Sequence, residues 1–263
     1  MTSAVGGTIP ARKRRTELAS VDNGGDARSV FSFRIVSAHR IVRPEQLDLL
    51  PHAHPAALRS RRDLVRINRV MGNWRWLRTT MFERIRSSDT ILELGAGDGG
   101  FARWLRRDSS ADRAGWRVRG LDLVARPVDW PTAWPWTRGD MLDPSVDLSG
   151  DVVVANLVLH HFEDAALERI GRRLRETARL VLVCEPARGA INLALARSLA
   201  LIGAGPVTRY DAPVSVQAGF TGMELPEIMG FAPDAWTVEV RTGFFGAYRM
   251  IAQRRVVGEA IGL

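Results

Sequence analysis

The sequence predicts an α/β chain built on a doubly wound, mostly parallel seven-stranded sheet, with an antiparallel C-terminal strand and an N-terminal helical cap. Three observations carry this reading. From residue 89 onward, short apolar runs alternate with helix-like segments, the rhythm of strands joined by covering helices. A glycine turn, Gly95-Ala96-Gly97-Asp98-Gly99-Gly100, follows the first run and opens a helix, and an acid, Asp122, ends the next run. Two strand-like segments close the chain with only Thr242-Gly243-Phe244-Phe245 between them, a loop short enough to imply a hairpin and so an antiparallel edge.

Taken in order, residues 1–30 are rich in Gly, Ser, Thr, Ala and charge without a period, and read as a disordered tail. Residues 31–88 form the cap. Its first half holds Pro44, Pro51 and Pro55 and reads as irregular, with one short strand at Phe31–Val36. Helices are expected at Ala56–Val70 and Trp74–Ile85, broken at Met71-Gly72-Asn73. The main domain spans 89–255, and 256–263 is a tail. Strands are expected at Thr90–Leu94, Arg117–Leu123, Trp134–Arg138, Asp151–Val158 and Arg179–Glu185, all near-continuous apolar runs suited to burial on both faces. Helices are expected at Gly99–Arg107 and Glu163–Thr177. An insertion at about 187–220 follows, with a Leu- and Ala-rich helix at Ala190–Ile202 and a polar loop, Gly203–Phe220, marked by Pro206 and Pro213. A short helix at Gly222–Met229 leads to the last two strands, Ala235–Arg241 and Gly246–Gln253.

Composition bounds the function classes. The chain has 263 residues, 46% hydrophobic and 25% charged, which fits a globular protein with a substantial core. Its longest apolar runs, Leu180–Cys184 and Val152–Ala155, are too short to span a bilayer, so no membrane insertion is expected. Arg12-Lys13-Arg14-Arg15 is followed by polar residues and no apolar core, so a signal peptide is not expected and a cytoplasmic location is. Cys184 is the single cysteine, which excludes an internal disulfide. The formal net charge is +8, and Lys13 is the one lysine among 37 basic residues. The arginines are spread along the whole chain and do not interleave with aromatics, which argues for solvated helix faces over a nucleic-acid surface. A monomer or homodimer acting on a small molecule is the expectation.

The turn satisfies G-x-G-x-x-G literally, and the flanking strand, helix and acid are the dinucleotide context. Three features oppose that ligand. Glu93 ends the strand just before Gly95, and a carboxylate at the floor of the turn repels a pyrophosphate but suits a cation. The Tyr-x-x-x-Lys pair of common reductases is missing, since the tyrosines are Tyr210 and Tyr248 and the lysine is in the tail. The third is the C-terminal hairpin.

Together these features resemble the class I S-adenosylmethionine-dependent methyltransferases, in the small-molecule subgroup found in bacteria, over roughly residues 60–255. The family's motif E/D-x-G-x-G-x-G is matched by Glu93-Leu94-Gly95-Ala96-Gly97-Asp98-Gly99. The acid ending strand two is matched by Asp122, the acid after strand three by Asp140 in Gly139-Asp140-Met141-Leu142, and strand four by Asp151 through Phe162. The resemblance implies S-adenosylmethionine as cofactor. Glu93 with Gly95, Gly97, Asp98 and Gly99 would hold its methionine end, through the ammonium group or water. Asp122, beside Leu123, would accept both ribose hydroxyls. Asp140 would accept from the adenine amino group, with Met141 or Leu142 packing the ring, and Asn156 would lie beside the methionine carboxylate and the methyl group.

The catalytic candidates are His160 and His161, which follow strand four. Either imidazole suits a general base, and equally suits a helix cap or a packed hydrogen-bonding group. As sequence neighbours they are expected to diverge, so no metal site is expected. Glu185, ending strand five, is a second pocket-wall candidate, and Cys184 reads as core. A fainter resemblance links Arg66-Ile67-Asn68-Arg69 and Tyr210-Asp211-Ala212-Pro213-Val214-Ser215 to bacterial methyltransferases of phenolic lipid or polyketide modification, which implies that Tyr210, Asp211 and Ser215 line an acceptor site or else cap turns. The expected reaction is O-methylation of a phenolic or lipid/polyketide-like acceptor. An NAD(P)-dependent oxidoreductase, a nucleic-acid methyltransferase and a non-catalytic binding module remain as alternatives. Against the second, Asn156-Leu157-Val158-Leu159 stands where D/N-P-P-Y/F/W would be.

Overall fold

Ile91–Leu94 (β1), Val118–Asp122 (β2), Trp136–Arg138 (β3), Val152–Asn156 (β4), Leu180–Pro186 (β5), Trp236–Thr242 (β6) and Ala247–Arg254 (β7) form one sheet in the computed structural model, in the order β3-β2-β1-β4-β5-β7-β6. The structure describes residues 39–107 and 115–256, so the strand expected at Phe31–Val36, the tail at 1–30 and nearly all of 256–263 lie outside the described residues. β1 to β5 run parallel. β7 inserts between β5 and β6 and is antiparallel to both. The expected mixed seven-stranded sheet is thus the observed one, with β7 as the reversed strand.

Alternate residues of the central strands enter two different cores. Leu92, Leu94, Val153, Ala155, Val181 and Val183 pack on one face with Leu167, Ile170 and Leu174. Ile91, Val152, Val154, Leu180, Leu182 and Cys184 pack on the other with Leu77, Met81, Phe101 and Leu105. Period-two sides that are both apolar explain why these strands read as unbroken hydrophobic runs. The helices that cover them are Asn73–Arg84, Gly100–Arg106 and Asp164–Thr177. In chain order the helices are Gln46–Leu49 (α1), Pro55–Met71 (α2), Asn73–Arg84 (α3), Gly100–Arg106 (α4), Asp164–Thr177 (α5), Ala190–Ser198 (α6), Pro206–Ala218 (α7) and Glu224–Ile228 (α8), with 3-10 turns at Leu159–His161 and Leu199–Ile202.

Two elements differ from the sequence expectation. Gly203–Phe220, expected as a polar loop, is mostly the helix α7. Pro206 sits in its first turn, where its missing N–H costs nothing, and Pro213 lies inside it. Packing outweighs the internal proline: Val207, Thr208, Asp211, Val214, Val216 and Ala218 are buried, and Thr208 Oγ1 lies 3.1 Å from both Ser60 Oγ and Asp63 Oδ2 on α2. The second is α1, a single turn inside the stretch expected to be irregular. It has no cap of its own; Asp211 on α7 accepts from the Gln46 amide at 2.7 Å and the Leu47 amide at 3.0 Å. A helix this short does not form on propensity, so its existence is a tertiary event.

The chain winds outward from β1 in one direction through β2 and β3, and from β4 in the other through β5. The crevice between the carboxyl ends of β1 and β4 is therefore the switch point, where open α/β sheets take ligands. Leu94 pairs with Ala155, so the glycine turn and Asn156 leave the sheet side by side.

Candidate active site

Beyond β1 the chain takes three left-handed steps, at Gly95 (φ +63°), Gly97 (φ +57°) and Gly99 (φ +77°), conformations that glycine adopts without the penalty of a side chain. They are not equivalent. A Cβ on Gly95 would lie 2.3 Å from Val158 Cγ2, so the turn is packed against the segment after β4. A Cβ on Gly99 would lie 3.0 Å from the Trp130 ring beneath it, whereas one on Gly97 would meet nothing within 4 Å. Gly97 is the open lip of the cradle. Its amide donates to Asp122 Oδ2 at 2.7 Å, and the Val124 amide donates to Asp122 Oδ1 at 3.1 Å. Each Asp122 oxygen keeps accepting capacity beyond these bonds. Asp98 accepts from the Gly100 amide at 3.2 Å and pairs with Arg103 at 3.4 Å, so it braces the start of α4.

Glu93 is 4% exposed. Burial, with Asp122 and Asp98 nearby, pushes its carboxyl up to about 8. Its Oε2 is buried and has no hydrogen-bond partner, and the same is true of Asn156 Oδ1. Two orphaned acceptors at the ends of adjacent strands leave a need for donors from a ligand. Leu157, next to Asn156, is the non-glycine residue with positive φ (58°) among those described, and its amide donates to Cys184 O at 2.8 Å. Strain of this sort collects at functional sites. Asp140 is exposed and accepts from the Leu142 amide at 2.8 Å. Met141 is 7% exposed and packs in the core with Leu148, and Leu142, half-buried, packs against the same core. Leu123 is exposed.

The histidines and the insertion residues meet in a second cluster. Glu185 is fully buried; its Oε1 accepts from the Val158 and Leu159 amides at 3.0 and 2.8 Å, and its Oε2 lies 2.6 Å from His160 Nδ1. His160 Nε2 lies 3.3 Å from Glu45 Oε1. The Ser215 hydroxyl donates to Glu45, and Asp211 caps the helix that Glu45 precedes. His161 Nδ1 lies 3.2 Å from Asp48 Oδ2. Tyr210 stands exposed on α7. Burial pulls the His160 ring down, but the Glu185 and Glu45 carboxylates outweigh it and push the imidazole up to about 9. His160 therefore stands between two carboxylates, with Nδ1 facing Glu185 and Nε2 facing Glu45. The two histidines do not diverge. The 3-10 turn brings their ring centroids to 4.2 Å.

Sequence reasoning missed Glu45 and Asp48, whose segment looked irregular, and Arg40, which lies over the Phe220 ring and donates to the Phe162 and Ala218 carbonyls at 2.9 and 2.8 Å. No local pattern marks any of them.

A family model for a methyltransferase domain matches residues 66–209, more than half of the chain. The chain belongs to this methyltransferase family. The solved structure of the plantazolicin methyltransferase BamL, holding a desmethyl analogue and S-adenosylhomocysteine, is 11% identical, covers 79% of this chain and 92% of its own, and superposes with a TM-score of 0.58. Human N-acetylserotonin methyltransferase with S-adenosylmethionine is 14% identical, covers 81% of this chain and 63% of its own, with a TM-score of 0.51. The pyocyanin biosynthetic protein PhzM is 18% identical, over 64% of this chain and 50% of its own, with a TM-score of 0.41. This methyltransferase thus spans half of the PhzM chain and under two thirds of the human one. The first two likenesses establish the class I methyltransferase fold. No curated protein matches the chain significantly.

Proposed function

We propose that this methyltransferase binds S-adenosylmethionine in the crevice between β1 and β4 and methylates an oxygen of a phenolic or lipid/polyketide-like small molecule. The observation that carries the reading is the unpartnered Glu93 Oε2 at the floor of the glycine turn, with the unpartnered Asn156 Oδ1 beside it. A buried carboxyl without a partner, which ionises when a cation takes the place of its proton, suits a ligand with a cationic end and opposes a pyrophosphate. This favours S-adenosylmethionine over a nicotinamide dinucleotide. When bound, that cofactor supplies a methyl group already activated on a sulfonium. The protein then has to align and dry the reacting groups more than to activate them.

In this reading Glu93 accepts from the ammonium group and Asn156 meets the methionine end. Asp122 uses its remaining acceptor capacity on the ribose, Asp140 accepts from the adenine amino group, and the open side of Gly97 lets the ligand lie on the backbone. Glu185, His160, Ser215 and Asp211 fix the shape of the acceptor side, with His161 and Tyr210 as its more accessible members. The α6 segment and the turn after it expose Ile191, Leu195, Leu201 and Ile202, side chains that suit an apolar acceptor. BamL and the human enzyme are named for small-molecule substrates, which agrees with this class.

Titration calorimetry with S-adenosylmethionine tests the cofactor half. Micromolar binding is expected, and no heat at millimolar cofactor overturns the reading. A methyl-donor assay over phenols, quinone precursors and RNA tests the acceptor, with product on phenolic oxygen expected and product on RNA alone overturning it.

A further inference from the structure

We propose that Glu45, His160 and His161 form a binding site for one divalent transition-metal ion, of zinc-like preference rather than magnesium- or calcium-like. One ligand atom from each residue lies within 4.8 Å of the others, with Glu45 and His160 buried and His161 partly so. Donors about 2.1 Å from a tetrahedral ion stand about 3.4 Å apart. Glu45 Oε1 and His160 Nε2 are 3.3 Å apart, which is long for a direct hydrogen bond but right for two ligands of one ion.

The surroundings are those of a ligand set rather than of a chance cluster. A metal-binding histidine usually gives its other N–H to a carboxylate, which fixes the ring and its tautomer. His160 Nδ1 does so toward Glu185 Oε2 at 2.6 Å, leaving Nε2 as the ligating nitrogen. Glu45 is held by the Ser215 hydroxyl, and the backbone that carries it is capped by Asp211. Around the two imidazoles stand the carboxylates of Glu45, Asp48 and Glu185, with the Arg40 guanidinium against the backbone of the turn, so acceptor groups outnumber the one fixed cation beside them. Two imidazoles and a carboxylate suit zinc, cobalt or nickel better than magnesium or calcium, which prefer all-oxygen shells. Three protein ligands leave at least one position for water or an acceptor oxygen, and the cluster sits just past Asn156, on the side where the proposed acceptor would lie. The ion's binding does not depend on the methyl-transfer reading.

The full chain, stripped with EDTA, is dialysed against Zn²⁺, Mg²⁺ and Ca²⁺ and its bound metal counted; Co²⁺ absorption is recorded in parallel. The expected result is about one Zn²⁺ per chain, held at least about tenfold more weakly by His161→Ala and by Glu45→Gln, and unchanged in His52→Ala. His161 is partly exposed, so its variant folds even if Glu45→Gln does not, and visible-range Co²⁺ bands in the native chain are lost in it. Less than one Zn²⁺ per chain, equal retention of Mg²⁺ or Ca²⁺, or full binding by His161→Ala overturns the proposal. Calorimetry with S-adenosylmethionine on the EDTA-stripped chain reads the cofactor site separately, so the two failures are told apart.

Discussion

The Gly97 amide donates to Asp122 Oδ2 at 2.7 Å, so the residue that ends β2 fixes the turn that follows β1. Asp122 thus serves the crevice before any ligand arrives. Asp122→Ala should cost about 2 kcal/mol of stability from the two lost amide bonds, to Gly97 and Val124, and weaken S-adenosylmethionine at least about tenfold. Denaturant melts and calorimetry on one preparation check both. A variant that keeps native affinity contradicts the ribose assignment.

Glu93 gives the pH dependence. Its carboxyl titrates at about 8 in the fold against 4.5 ordinarily. The fold therefore binds the proton that the unfolded chain has released across that interval. Stability contributed by the neutral carboxyl is whole below about 4.5 and is lost as pH rises through about 8. The loss is on the order of 5 kcal/mol for a group this buried. Glu93→Gln should match native below about pH 4.5, gain on it steadily from there to about pH 8 and keep a constant margin above that, while losing cofactor binding. Melting temperatures of both chains between pH 5 and about 9 decide it; parallel curves contradict the assignment.

The two glycines at the mouth should respond differently to alanine. At Gly95 the new methyl meets Val158 at 2.3 Å, so Gly95→Ala should displace the β4 end and lower stability by roughly 2 kcal/mol or more. At Gly97 nothing lies within 4 Å, so Gly97→Ala should pay only the left-handed backbone penalty of about 1 kcal/mol, yet obstruct the ligand. Folding measured against affinity separates them. Equal stability losses would mean that the turn is not packed as described.

Glu185 accepts two amides and faces His160 from a fully buried position. Glu185→Ala should cost about 3–5 kcal/mol, the usual result of stranding one partner of a buried pair. Glu185→Gln keeps the amide bonds and should recover part of that. Chemical denaturation of both variants is the check, with equal losses contradicting the amide-anchoring role.

How far the sequence reached follows from range. β1, β4 and β5 were legible because each is a largely apolar run whose two sides face two cores, and the glycine turn because left-handed steps demand one residue type. α7 was hidden by Pro213, whose local rule is overruled by packing on α2 and α6. α1 was hidden because Asp211, far along the chain, supplies its cap. The same distance concealed Glu45. His160 and Glu185 could each be singled out from strand ends, but the third member of their cluster is brought in by tertiary contact alone.

Trp130 lies directly beneath Gly99, with Trp136 at 4.9 Å and Trp134 at 6.1 Å between ring centroids. The cradle therefore rests on coupled indole chromophores. A change in indole emission on ligand binding is the expected consequence, an unlabelled signal readable by stopped flow against the background of the chain's other tryptophans.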